Sequence, residues 1–443
     1  MNVIVIGGSI TGCMAAEILT RHFECVTIVD KGNFSLDSSE RVNIPQEKHA
    51  HVVLLKGMML LKDIYPDILD KLNESGAPYS NLGEDIDWMQ YNEWKVKYKS
   101  QYGSYFFSRN LLDSIIRQET LENKKIIVLR NTSVDGLIVE SHDSKKKITG
   151  LRISNQSGST ALPADLVIDC SGFGSRTVEM LQEVGINRPV ITQINKNLGY
   201  ASRVYKALPG YENKAIVIWS SEPEDNAIGL LLPIENNRYI VSVGGCFSKH
   251  PQADELSYLS FMKSLPTDKL YNFVKKLEPL SDIHTFKYPG STWTHFEDLD
   301  DLPDGLIVAG AALCAVNPFY GQGITICTKQ IDVIDKNINK WKQGKVKTIK
   351  IQRDFKKTIA TSWKMAEVED FRHKKFKNKV TPLIKFLQWY GKHFAMTSNH
   401  DSYVREIQFK IIHMISNPFS IFHPTIIFKI IINSLKKKDF NCE

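Results

Sequence analysis

The chain has 443 residues, 42% hydrophobic and 24% charged, with a net charge of +7. That balance excludes a disordered or collagen-like polymer and supplies apolar material for two or three domains. The seven cysteines form no Cys-x-x-Cys pair and no zinc-like spacing with histidine, so reduced thiols in a cytoplasmic protein and no metal are expected.

From the N-terminus, Asn2–Lys31 reads as a β-α-β unit. "NVIVI" is a short apolar strand and shows none of the marks of a signal peptide. It runs into the turn Gly7-Gly8-Ser9-Ile10-Thr11-Gly12, and a helix with Met14, Ala15, Ile18 and Leu19 at helical spacing follows. "CVTIVD" is apolar on both faces, as a buried parallel strand is. The turn approximates the G-x-G-x-x-G dinucleotide fingerprint, with Ser9 at the middle glycine. Gly7 permits the tight turn, a small residue at Ser9 admits a pyrophosphate, and Gly12 lets helix and strand pack closely. The free N–H groups at the helix start attract phosphate, and Asp30 stands where an acid meets ribose hydroxyls.

Arg41 to about Ser75 reads as mostly helical, and Ser108 opens an amphipathic helix through Glu119. His49 and His51, two apart, do not converge on a metal if helical and read as packing residues. "KIIVLR", "ITGLRI" and "ADLVIDCSG" read as a small antiparallel layer feeding back into the parallel sheet. In "ADLVIDCSGFGSRT" (Ala164–Thr177) a strand ends at Asp169, and small residues after it admit a ligand. "AIVIWSS", "AIGLLLP" and "RYIVSVGG" form a second sheet, and "HFEDLDD" (His295–Asp301) reads as a solvated loop. In "GLIVAGAALCAVNPFYGQGIT" (Gly305–Thr325) a strand and turn lead into a helix whose N–H groups face an acceptor. The rest is helical. No apolar run reaches the roughly 18 residues of a membrane span, and Phe419–Leu435 reads as a packed or interfacial helix. The lysine clusters Arg372–Lys379 and Lys436–Lys438 are solvated helix faces or a membrane-surface patch.

These three glycine motifs, in this order, resemble the FAD-dependent aromatic hydroxylase superfamily. Within it, "RVNIPQEKHAHVVLLKGMMLLKDIYP" (Arg41–Pro66), "SRNLLDSIIR", "GYASRVY" (Gly199–Tyr205) and "SIFHPTIIFKII" resemble bacterial polyether epoxidases and squalene-epoxidase-like enzymes. The resemblance implies an α/β fold: a Rossmann-like FAD-binding domain (residues 1–75, 100–185 and 285–345) interleaved with a β-sheet substrate domain (76–99 and 186–284). A helical C-terminal region (346–443) completes it. It implies that Gly7, Gly8, Ser9, Thr11 and Gly12 line the FAD pyrophosphate, with Asp30 and Lys31 at the adenosine ribose. Arg41 and Arg109 would reach the phosphates or ribityl chain, Val134 the adenine, and Asp169 the second glycine turn. Pro318, Gly321, Gln322, Gly323 and Ile324 would hold the isoalloxazine. Gly310 and Ala311 would meet the ribityl chain, where the family usually carries Gly-Asp, so Ala311 removes a contact. Tyr200, Ser202, Trp219, Phe319 and Tyr320 are the substrate-lining candidates, beside Tyr205 and, at the pocket edge, Trp293 and His295.

The expected activity is monooxygenation: epoxidation or hydroxylation of a hydrophobic secondary metabolite through a flavin C4a-hydroperoxide. Electrons would come from NAD(P)H or a separate flavin reductase, since no second dinucleotide fingerprint is present. The residues name no catalytic base. The halogenase motif W-x-W-x-I-P is absent. A flavin dehydrogenase of the geranylgeranyl-reductase kind, and a non-redox cyclase or binding protein, remain alternatives. No nucleic-acid partner is expected; peripheral membrane contact through the C-terminal helices is the alternative to solvated helix faces.

Overall fold

A computed structural model describes the chain except for residues 35–44, 143–144, 221–226, 248 and 440–443. Arg41 lies outside the described residues. The architecture is mixed α/β, with a Rossmann-like parallel sheet, further sheets and a helical C-terminal region.

The parallel sheet has five strands in the order Leu306–Val308, Leu166–Asp169, Val3–Ile6, Val26–Val29 and Ile126–Leu129. The first four are apolar on both faces because helices cover both sides. The helix Ile10–Leu19 packs against Gly323–Lys342, and the two bring their N-termini toward the C-terminal ends of the strands. Val3 pairs Leu166 and Val26 in register, which brings the turns after Ile6, Val29 and Asp169 together.

The segment "KIIVLR", expected in the antiparallel layer, is the outer strand of this parallel sheet instead, as is "ADLVID" its second. The antiparallel layer consists of Ser133–His142, Lys145–Asn155 and Gly158–Pro163. Short apolar runs suit either kind of strand, and only the long-range partner decides.

The second sheet has eight strands, ordered Cys314–Ala315, His284–Thr294, Ile191–Lys206, Arg238–Gly245, Ile228–Ile234, Ala215–Trp219, Ile86–Gln90 and Glu93–Trp94. His284–Thr294, set from residue 285 in the FAD-binding part by the sequence, is laddered here against Ile191–Lys206. That ladder is interrupted between Asn195 and Leu198, where Asn197 takes a φ of +46°. The bulge turns Lys196 inward to near-complete burial. Ser108 caps the helix Arg109–Glu122 as expected, its Oγ accepting from Leu111 N at 3.1 Å. No described helix is long and apolar enough to cross a membrane.

Candidate functional site

One cavity of about 1370 Å³ runs from the turn after Ile6, past the turn Asn317–Gly321, into a chamber under the eight-stranded sheet. Pockets for one small molecule span about 300–1,000 Å³, so this one has room for a cofactor and a substrate.

At the first end, the helix Ile10–Leu19 begins at Ser9, whose side chain caps nothing, leaving the first N–H groups open to the cavity. Gly7 holds φ at +90°, a region that disfavours side chains. The Asp30 carboxylate accepts from Gly8 N at 2.6 Å and from Gly32 N at 2.8 Å, which folds this turn over the end of the second strand. A carboxylate has about four acceptor sites, so capacity for a diol remains. Gly8, Ser9, Thr11, Lys31, Arg109 and Val134 join Asp30 on the wall. The Arg109 Nε is buried without a partner, an orphaned donor of the kind that a phosphate satisfies.

At the second turn, Asp169 lines the cavity but its carboxylate is saturated by its own loop. It accepts from Ser171 N and Oγ at 2.8 and 2.5 Å, from Ser175 Oγ at 2.5 Å and from Thr177 Oγ1 at 2.6 Å. Its work is to shape the Ser171–Gly174 loop.

At the third, Pro318, Phe319, Tyr320, Gly321, Gly323 and Ile324 face the cavity. Gly321 is left-handed at φ +64°, and a Cβ on Gly323 would meet nothing within 4 Å. The helix Gly323–Lys342 also starts without a side-chain cap, so a second set of free N–H groups points at the cavity. Ala311 is on the wall; Gly12, Gly310 and Gln322 are not. Gly12 serves close packing, Gly310 N donates to Gln330 Oε1 at 2.7 Å, and Gln322 is buried with Oε1 unpartnered.

Among the substrate candidates, Tyr200, Trp219, Phe319 and Tyr320 line the chamber. Ser202 does not: it is fully buried behind the wall, bonded to Ser242 Oγ at 2.5 Å and to His49 Nδ1 at 2.8 Å. The inward alternation of its strand put it on the correct face but not at the correct depth. Tyr205 and Trp293 are core residues away from the wall. His49 and His51 lie outside helix, and His51 lines the cavity. "HFEDLDD" is less solvated than expected. Its Glu297 is buried and held by His295 Nδ1 at 2.9 Å, while His295 Nε2 meets Thr192 Oγ1 at 2.7 Å. With Asp298, these form the one group of potential metal ligands among the described residues.

Two features were missed. The first is Asp370, the last residue of the helix Thr348–Asp370. Its Oδ1 accepts from Lys196 Nζ at 2.9 Å, Asn317 Nδ2 at 3.1 Å and Tyr320 hydroxyl at 2.7 Å, all in a buried pocket. Asn317 in turn accepts from Phe319 N at 3.0 Å, and Tyr320 stacks on Trp219 with 5.4 Å between centroids. Asp370 thus fixes the Asn317–Gly321 turn from behind. A sequence signal existed: Ile351, Phe355, Ile359, Ala366 and Asp370 share one apolar stripe, and an acid on a core stripe needs a partner. The second is Arg405, on the helix Ser402–Ile412, which closes the far end with Phe409 and Ile412. Arg405 is 2% exposed and makes one side-chain hydrogen bond, to Val96 O.

Two buried histidines make the fold sensitive to acid. Burial, with help from His284, lowers His49 to about 4, and burial lowers His413, which accepts from Leu55 N, to about 3. Both stay neutral when folded and take a proton near 6.5 when unfolded. Stability is therefore full above about pH 6.5 and falls as pH drops toward 4 and then 3, by about 1.4 kcal/mol per unit for each group. Urea midpoints across that range should show the loss, and His413→Leu should flatten it; a profile unchanged by that substitution refutes the assignment.

Residues 2–178 match the family model described as FAD dependent oxidoreductase. The match spans the first glycine turn, Asp30, Arg109 and the Asp169 turn. The open helix ends, orphaned Arg109 donor and bare glycine turns of the cavity fit a dinucleotide. Over 391 residues the chain is 23% identical to Protein Rv3254 of Mycobacterium tuberculosis, covering 84% of this chain and 81% of that one. Among solved structures it is similar to a flavoprotein/dehydrogenase from Cytophaga hutchinsonii (14% identity, 93% and 92% coverage, TM-score 0.68). It is also similar to the flavin-dependent brominase Bmp2 (12%, 99% and 99%, 0.64). A third is pqsL from Pseudomonas aeruginosa, a probable FAD-dependent monooxygenase (13%, 93% and 99%, 0.59). At these identities the likeness is one of fold.

Proposed function

We propose that this protein is an FAD-dependent monooxygenase that hydroxylates or epoxidises a hydrophobic secondary metabolite. The observation that carries the reading is the single cavity joining the dinucleotide turn to an apolar chamber. Gly7, Gly8, Ser9 and the open helix end would hold the pyrophosphate, with Arg109 beside it; Asp30 and Val134 would hold the adenosine. Pro318, Gly321, Gly323 and Ile324 would hold the ring. Bound FAD supplies the redox and oxygen-transfer chemistry, with electrons from NAD(P)H or a separate reductase. The chain's task is to orient the substrate and exclude water. Tyr200 and Tyr320 are pushed up by burial, so their hydroxyls stay protonated beside the substrate. Arg405 would meet an acidic group on the substrate, since its remaining N–H donors have no protein partner among the described residues.

The test is flavin content, then oxygen uptake with NAD(P)H or a flavin reductase over a panel of hydrophobic acids and their amides. Substrate-dependent oxygen uptake that prefers acids, with Arg405→Gln abolishing the preference, is expected. Flavin reduction by substrate without oxygen transfer would instead make it a dehydrogenase, and product formed only with added bromide a halogenase. Restoring the acid with Ala311→Asp should tighten FAD binding about ten- to a hundredfold. An unchanged dissociation constant would mean the residue does not face the ribityl chain. A colourless protein that rejects FAD would leave the non-redox alternative.

A further inference from the structure

The C-terminal helices present an apolar face that the rest of the described chain leaves uncovered. Leu383, Phe386 and Trp389 follow one another at intervals of three on the helix Pro382–Thr397. Phe428 and Leu435 lie seven apart on Pro424–Asp439, and Phe419 stands just before it. These six side chains are between 48% and 76% exposed. The two helices share a small core beneath, where Tyr390 and Phe394 pack with Ile426 and Ile430. A run of rings ties the surface together: Phe386 to Tyr390 at 6.1 Å, Tyr390 to Phe422 at 4.8 Å, and Phe422 to Phe419 at 6.5 Å. Isolated exposed apolar residues are ordinary; a contiguous aromatic ridge on adjoining helices marks an interaction surface.

Charge says what covers it. Between residues 371 and 400 the chain carries Lys374, Lys375, Lys377, Lys379, Lys385 and Lys392, besides Arg372, which is paired with Glu369, and no Asp or Glu. Lys385 and Lys392 are exposed and stand four before and three after Trp389, on its own stripe. A second copy of the chain would oppose like charges across a two-fold interface, and lysine is depleted from protein interfaces. Aromatic and aliphatic side chains among lysines instead match an interface of acyl chains and phosphate headgroups.

We propose that this face docks on an anionic lipid bilayer, with both helices lying in its plane and none crossing it. The placement has a consequence for the cavity. The helix Ser402–Ile412 sends Val404 and Ile411 into the core beneath the docking face, and Arg405, Phe409 and Ile412 to the chamber wall. A single helix separates the bilayer side from the chamber, so an apolar substrate dissolved in the membrane reaches it by the shorter route. The docking itself is independent of the flavin reading.

The test uses the full-length protein as purified, co-sedimented with phosphatidylcholine vesicles with and without phosphatidylglycerol. Sedimentation with the anionic vesicles, weakening as salt rises, is expected. Trp389→Ser with Phe428→Ser should reduce that partitioning at least about tenfold, because two interfacial anchors are lost. Both sites are exposed, so the fold survives, which circular dichroism checks. The proposal fails if wild type stays in the supernatant at low salt, or if the double variant binds as well as wild type. It also fails if sedimentation equilibrium shows a dimer that the same two substitutions dissociate.

Discussion

Gly12→Ala should yield a protein that folds poorly and purifies without flavin. A Cβ at Gly12 would stand 1.8 Å from the Gly7 carbonyl oxygen, which is backbone and cannot swing aside. Overpacking typically costs about 1–3 kcal/mol, and a backbone clash this deep belongs at or beyond the upper end. The turn that must move is the one whose N–H groups open onto the cavity and would hold the proposed pyrophosphate. Gly323→Ala is the matching control. Its Cβ would meet no protein atom within 4 Å, so stability should hold within about 0.5 kcal/mol. The new methyl would still project toward the ring cradle and weaken FAD. Chemical denaturation and bound-flavin absorbance separate the two effects. A stable, yellow Gly12→Ala protein would show that the turn is built differently.

The second large effect is expected at Asp370. Asp370→Ala leaves the Lys196 ammonium buried with no counter-charge and strips Asn317 and Tyr320 of their acceptor. Breaking a buried pair on one side costs about 3–5 kcal/mol. Removing the charge as well, with Lys196→Met, should recover about half of that loss, and a double-mutant cycle measures the coupling. Strict additivity would mean that the two groups do not interact. Burial alone would lower Lys196, yet the Asp370 charge outweighs it and the ammonium ends up raised. Stability from this pair is thus complete below the unfolded lysine value of about 10.4 and is lost only as pH rises through the folded one. Near neutrality the pair contributes no slope, whereas His49 and His413 govern the acid side. The Trp219–Tyr320 stack offers a local reporter, because near-ultraviolet dichroism should fall in Asp370→Ala before unfolding begins.

The glycine turns at the first end of the cavity were legible because such turns and open helix ends are local. Gly7, Asp30, Gly321 and Gly323 all stand on the cavity; the spacing of the first turn pointed to a phosphate, and the family resemblance supplied the ring expected at the third. What escaped is long-range. Nothing near Lys196 in the chain announces a partner 174 residues away, and the bulge that turns it inward depends on its partner strand. Ser202 faced the correct way by alternation, but depth behind Tyr200 and Phe286 is set by packing. "KIIVLR" joined the parallel sheet by pairing with Val26–Val29, a partner far away in the chain that its own residues do not announce. Asp169 looked like a ligand group, and only the four donors around it reveal a loop organiser.

The three-way junction at Asp370 joins parts far apart in the chain: Lys196 from the large sheet, the Asn317–Tyr320 turn at the proposed ring cradle, and the end of a C-terminal helix. The helical region is therefore no detachable appendage. Cutting the chain before Thr348 would remove one anchor of the cradle along with the helix that closes the chamber. Swapping helices from a relative would transplant the far wall of the pocket and loosen the near one in the same stroke. Altered substrate range is better sought at single positions such as Phe409 and Ile412, which face the chamber from beyond the junction.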